Sequence, residues 1–152
     1  MDMRNFSDDV YIDLIQVPAA NPSDTTLPAS YKDVSGFERF AFLRGVGASD
    51  DTTVTMQVVQ ATAAAGTGKK NVTGAVSTSA SSIGSGANNK WAIIEVEVAK
   101  LDSANGFRYV AVDGVASGGS ATASTMWFFA WRAREFPVTQ PASKGEIVTL
   151  NG

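Results

Sequence analysis

Thr53-Val54-Thr55-Met56-Gln57-Val58-Val59-Gln60-Ala61-Thr62 decides the fold class. Val54, Met56 and Val58 fall on one side of an extended chain, Thr53, Thr55 and Gln57 on the other. That period of two is the mark of a half-buried β-strand. Just upstream, Phe37-Glu38-Arg39-Phe40-Ala41-Phe42-Leu43-Arg44-Gly45-Val46 is rich in aromatics and stops at Gly47, with Ala48-Ser49-Asp50-Asp51 as a turn. The two runs are expected to form an antiparallel hairpin.

Downstream the same pattern returns. Trp91-Ala92-Ile93-Ile94-Glu95-Val96-Glu97-Val98 reads as a strand with Ile94, Val96 and Val98 inward and Glu95 and Glu97 outward. Asp102-Ser103-Ala104-Asn105-Gly106 supplies a turn, since an Asn-Gly pair accepts positive φ readily. Phe107-Arg108-Tyr109-Val110-Ala111-Val112 is the expected returning strand, and Thr125 to Ala133 the last strong one. Composition agrees: valine (16) outnumbers leucine (5) and isoleucine (6), there are 13 threonines, and Glu, Lys and Gln are scarce at 5, 6 and 4. β-Branched residues lose rotamer freedom on a helix and pack well on a pleated surface. The expected fold is all-β, an antiparallel β-sandwich or jelly-roll-like barrel with extended N- and C-terminal arms.

The 152 residues fit one domain. Residues 1–30 read as an extended arm, with Val10-Tyr11-Ile12-Asp13-Leu14-Ile15-Gln16-Val17 able to form a strand inside it. Val10, Ile12 and Leu14 would then share a face. Pro18, Pro22 and Pro28 interrupt the rest of the arm, because proline cannot donate to a sheet ladder. Residues 31–135 form the sandwich; 136–152, with Pro137 and Pro141, read as a second tail. The low-complexity centre, residues 63–89, is expected to hold one short strand between loops.

Much chemistry is excluded by composition. The chain has no cysteine and no histidine, which removes disulfides, the usual zinc sites and Ser-His or Cys-His catalysis. A formal charge of −3 gives no basic footprint for nucleic acid. No apolar stretch approaches the ~20 residues of a membrane-spanning helix, and the N-terminus reads as lacking a secretory signal. Ala65-Gly66-Thr67-Gly68-Lys69-Lys70 suggests a phosphate loop, but Ala63 stands where the first glycine is needed and Lys70 where a Ser or Thr is needed. Glu95 and Glu97 share a face, roughly 7 Å apart, a spacing that two-carboxylate glycoside hydrolysis could use; two solvent-facing glutamates explain it more simply. Asp50-Asp51 lacks the alternating oxygen ligands of an EF-hand calcium loop. The expectation is no enzyme activity, no cofactor and no metal.

Met126-Trp127-Phe128-Phe129-Ala130-Trp131 is the feature with most functional weight. Six apolar residues in a row place Met126, Phe128 and Ala130 on one face and Trp127, Phe129 and Trp131 on the other. An antiparallel sheet in a small sandwich normally shows one face to water, so the second face needs a cover: an arm of the same chain, or a neighbouring subunit. Aromatic residues anchor interfaces. The expected interface residues are Trp127, Phe129, Trp131, Tyr11, Leu14, Phe136 and Val138.

Four runs together resemble a known group: Tyr31-Lys32-Asp33-Val34-Ser35-Gly36-Phe37-Glu38, Thr52 to Thr62, Leu101-Asp102-Ser103-Ala104-Asn105-Gly106-Phe107-Arg108-Tyr109-Val110, and Pro137-Val138-Thr139-Gln140-Pro141. Over about residues 31–141 the chain is similar to the head decoration (cement) proteins of tailed bacteriophages. The resemblance implies a β-rich virion protein made in the host cytoplasm. It would bind the outer surface of the head, often as a homotrimer, and brace neighbouring major capsid subunits. It carries over no catalytic residue. The partners expected are thus the major capsid protein and further copies of the chain, with no nucleic acid and no membrane. The alternatives are another virion component (tail-tube, head–tail joining or fibre protein) and a glycan-binding β-sandwich using Trp91, Trp127 or Trp131.

Overall fold

The computed structural model describes residues 5–22, 30–49, 53–77, 90–114, 116–117, 121–135 and 137–142. The protein is an all-β sandwich. Its strands are β1 (Val10–Pro22), β2 (Lys32–Asp33), β3 (Arg39–Ser49), β4 (Thr53–Val54), β5 (Met56–Ala61), β6 (Lys70–Ser77), β7 (Lys90–Glu97), β8 (Tyr109–Asp113), β9 (Ala116–Ser117) and β10 (Ala121–Trp131). A single helical turn, α1 (Phe6–Asp9), precedes β1, and two 3-10 turns (Val98–Lys100 and Ser103–Asn105) lie between β7 and β8. One antiparallel sheet has the order β1-β10-β3-β7 and the other β2-β8-β5-β6, while β4 pairs with β9 separately.

Both expected hairpins are corrected by this topology. β3 lies between β10 and β7, whereas β5 lies between β8 and β6, so the chain crosses from one sheet to the other between them. β7 and β8 are divided in the same way. Alternation of apolar side chains fixes which face of a strand is buried; it carries no information on which strand lies beside it. The turn between β7 and β8 does obey its sequence, with Gly106 in the left-handed region at φ 81°.

The strand expected at residues 10–17 is present, as part of β1. Residues 10–22, expected within an arm, are the edge strand of the first sheet, in register with β10 through Val10↔Trp131, Ile12↔Phe129 and Leu14↔Trp127. Register shifts at Leu14/Gln16 and Gln16/Ala19 break the ladder just before the first prolines, where a missing donor is tolerated on an edge.

Phe40 and Phe42 of β3 and Phe128 of β10 interlock between the sheets, the Phe42 and Phe128 rings 5.1 Å apart. Met56 and Val58 of β5, Val110 and Val112 of β8, and Val72 of β6 complete the core from the other side. Met56 and Val58 are buried as their alternation predicts. Gln60 continues their inward parity, pairing with the core residue Val110, and Val59 and Ala61 on the opposite face are buried as well. The Gln60 side-chain oxygen accepts the Asp102 backbone N–H at 2.9 Å.

A buried polar group sits within this apolar interior. Arg44 is fully enclosed and donates to the Ser124 hydroxyl oxygen at 3.2 Å, which also accepts from the Gln16 amide at 3.2 Å. The three residues belong to β3, β10 and β1, so one hydroxyl ties three adjacent strands.

The outer edge of β1 is closed by residues 137–142. Val138 N–H donates to the Asp8 carbonyl at 2.8 Å. The Gln140 side-chain oxygen accepts the Ile12 N–H at 3.0 Å, and its amide donates to the carbonyls of Ser7 (2.8 Å) and Val10 (2.6 Å). The low-complexity centre holds a strand, β6, of eight residues. Residues 78–89 of that centre lie outside the described residues, as do Asp50-Asp51, Phe136 and the Val54 side chain.

Candidate functional site: an apolar sheet face

The side of the first sheet turned away from the core is built by odd-numbered residues of β10, β3 and β7 and even-numbered residues of β1. Directly paired residues in antiparallel strands point to the same face. The registers therefore assemble rows: Val10, Trp131, Arg39 and Glu97; then Ile12, Phe129, Ala41 and Glu95; then Leu14, Trp127, Leu43 and Ile93. A last position pairs Gly45 with Trp91. Apart from the charged corner of Arg39, Glu95 and Glu97, these rows are apolar.

β10 divides as its sequence predicts. Met126, Phe128 and Ala130 are buried in the core, and Trp127, Phe129 and Trp131 are half-buried on the outer face. Trp91 and Ile93 stand more open, at 67% and 49% exposure. At the Phe6 end the face is concave, with a hollow of about 280 Å³ lined by Phe6, Val10, Ala41, Ile93, Phe129 and Trp131. No polar side chain lines it. Contiguous apolar surface on this scale marks an interaction site more often than chance exposure does.

Four of the expected interface residues, Trp127, Phe129, Trp131 and Leu14, come together on this face. Tyr11 does not: its ring packs against Phe37 (6.0 Å) and Phe128 (5.9 Å) on the core side. Burial, reinforced by the nearby Asp13 carboxylate, raises its hydroxyl above the ordinary tyrosine value. Val138 shares a separate groove with Tyr11, Phe37 and Pro137. The face also holds Ile93, Leu43 and Phe6, which sequence reasoning passes over, and Trp91, which it names only as a glycan-stacking candidate. For Trp91 and Ile93 a signal is present, since they share the parity of the outward Glu95 and Glu97.

The glutamate pair is structural in setting. Arg39 Nη1 meets Glu95 Oε1 at 2.7 Å and Arg39 Nη2 meets Glu97 Oε1 at 2.5 Å. The hydrogen bond to Glu95 is the largest influence and holds the guanidinium above its ordinary value; desolvation opposes it, and the charges of Glu97, Glu95 and Glu38 add to it. One guanidinium thus engages both carboxylates.

The glycine-lysine loop has an equally structural setting. Lys69 pairs with Asp113 at 2.7 Å, and the Lys70 ammonium lies 4.0 Å from the centre of the Phe107 ring. The chain enters β6 at Lys70, where a phosphate loop would enter a helix. Gly66, at φ 81°, passes so close to Tyr31 that a Cβ there would lie 2.8 Å from its ring.

Among the described residues no group of three or more His, Cys, Asp or Glu is arranged to hold a metal ion, and no helix is long and apolar enough to cross a membrane. No protein-family model, curated protein or solved structure matches the chain significantly. The site is therefore read from its own geometry.

Proposed function

We propose that the protein is a non-enzymatic structural component of a tailed-phage virion, one that decorates the outer surface of the head and stabilises it by bridging major capsid subunits. The observation that carries this reading is the apolar outer face of the β1-β10-β3-β7 sheet, with Trp131, Phe129 and Trp127 along its spine. Burying such a face against another protein releases about 25 cal/mol for each Å² of apolar surface removed from water. A decoration protein needs broad, rigid contact area of this kind and no reactive group. The resemblance of residues 31–141 to cement proteins supports the same reading, along with its corollaries of a homotrimer and a position on the head exterior. The net charge of −3 also fits a surface facing away from packaged DNA.

The test is addition of the purified chain to preassembled undecorated heads. Saturable binding and a higher temperature of DNA release are expected. Ile93→Glu, which places a charge on the open part of the face, should abolish both while the chain stays folded. Heads that rupture identically with and without the protein would overturn the proposal. A stack or ring of six subunits would favour a tail-tube or joining protein instead. The exposure of Trp91 favours a second reading, a glycan-stacking platform; glycan binding lost in Trp91→Ala would select it.

A further inference from the structure

Beyond the apolar face, the end of the sandwich carries a groove of about 540 Å³ into which four arginines project: Arg39, Arg108, Arg132 and Arg134. The chain has only six arginines in all, and among the described residues no lysine lines this groove. They arrive from three separate places, the start of β3, the approach to β8 and the segment after β10. Among the described residues Glu38 and Glu97 are the only carboxylates in the lining, so the wall of the groove carries more guanidinium than carboxylate, with Glu95 and Asp33 pairing with two of its arginines from outside the lining.

The neutralisation within the groove is uneven. Arg39 is held by Glu95 and Glu97. Arg108 lies 3.4 Å from Asp33, and Arg132 lies 3.6 Å from Glu38 with both side chains nearly two-thirds exposed. Such open, long pairs contribute little and exchange readily. Among the described residues no carboxylate pairs with the Arg134 guanidinium; only its backbone N–H is engaged, with the Gly36 carbonyl at 2.9 Å. The backbone is also bent to the purpose. Arg132 has φ 54°, the one non-glycine residue with positive φ among those described. That conformation costs about 1–2 kcal/mol for a side-chain-bearing residue and falls where the chain leaves β10; Arg132 and Arg134 both line the groove.

We infer that this groove is a binding site for the carboxylates of an acidic polypeptide segment. Guanidinium groups present a planar fork that matches carboxylates two bonds at a time. Phe37, Val98 and Phe107 in the same lining give the aliphatic stems of Glu or Asp an apolar surface to lie on. The groove meets the apolar face at its charged corner, Arg39 and Glu97, and the inference stands or falls independently of the proposed function.

The experiment is a titration of the isotopically labelled full chain with capped oligoglutamate, and separately with inorganic phosphate, monitored by backbone amide NMR. Saturable shifts centred on Ser35, Ser103, Arg132 and Arg134 are expected with oligoglutamate, with phosphate producing none at equal charge. In Arg132→Glu/Arg134→Glu, binding should weaken about tenfold or more, with amide shifts outside the groove unchanged. Arg134→Lys, which keeps the charge and loses the fork, should fall in between. Shifts centred elsewhere, equal response to phosphate, absence of saturation, or undiminished binding by the double variant would each overturn the inference.

Discussion

The side chain of Gln140 completes the backbone of Ile12: its oxygen accepts the Ile12 N–H at 3.0 Å on the edge of β1 that faces away from β10. Through its amide the same residue also takes up the carbonyls of Ser7 and Val10. One glutamine from beyond the last strand therefore stands in for a neighbouring strand. Unpaired edges recruit other chains, and proteins cover them with loops or charges.

Gln140→Ala should remove three hydrogen bonds and bare that edge. A loss of about 1–3 kcal/mol is expected in denaturant unfolding, together with faster hydrogen exchange at the Ile12 amide. Unchanged protection at Ile12 would show that Gln140 is not what closes the edge.

Phe42→Ala should cost about 3–5 kcal/mol. Phe42 is fully buried and meets both Phe40 and Phe128, and a rigid sandwich cannot collapse into the space. Chemical denaturation measures this directly, and a loss below about 1 kcal/mol would mean that the two sheets are not packed through this ring.

Ile93→Ser should behave in the opposite way. The side chain is half in solvent already, so stability should stay within about 0.5 kcal/mol. Binding of a hydrophobic dye to the folded protein should fall, because the substitution interrupts the apolar row of Leu14, Trp127 and Leu43. Dye binding that is unaltered would place the apolar surface elsewhere.

The Asp102 carboxyl is held below its ordinary value, first by the hydrogen bond from Lys70 and then by that from Asn105. A carboxylate depressed in the folded state contributes stability that is present above its unfolded pKa and is lost as pH falls through the folded one. Lys70→Ala should raise the Asp102 titration midpoint toward the ordinary carboxylate range in carbon-detected NMR. It should also shrink the acid-side loss of stability that this group causes. A midpoint that does not move would exclude Lys70 as the main cause.

Legibility in the sequence tracks a physical divide. The faces of β5, β7 and β10 are readable from Met56/Val58, from Val96 against Glu95 and Glu97, and from Phe128 against Phe129, because alternation is a local property. The pairing of strands is not, since β3 and β5, separated in sequence only by the two-residue β4, lie in opposite sheets. Aromatic character alone puts Tyr11 at the interface; the parity of its neighbours Val10 and Ile12 turns it inward. Gln140 leaves no signal, because a glutamine that caps an edge looks like any polar residue in a proline-flanked tail. The arginine groove is assembled from residues almost a hundred positions apart, and only the folded ends of β3, β8 and β10 bring them together.

Ser124 takes one hydrogen bond from Arg44 and another from Gln16, and this fastens three strands at a fixed longitudinal offset. Sliding β3 or β1 by a single residue would swing a guanidinium or a carboxamide out of the interior and bring an outward side chain in, a large penalty for a small displacement. The contour that Trp127 and Trp131 present to the exterior is thus calibrated from behind, by a concealed polar latch that no visiting molecule would ever touch.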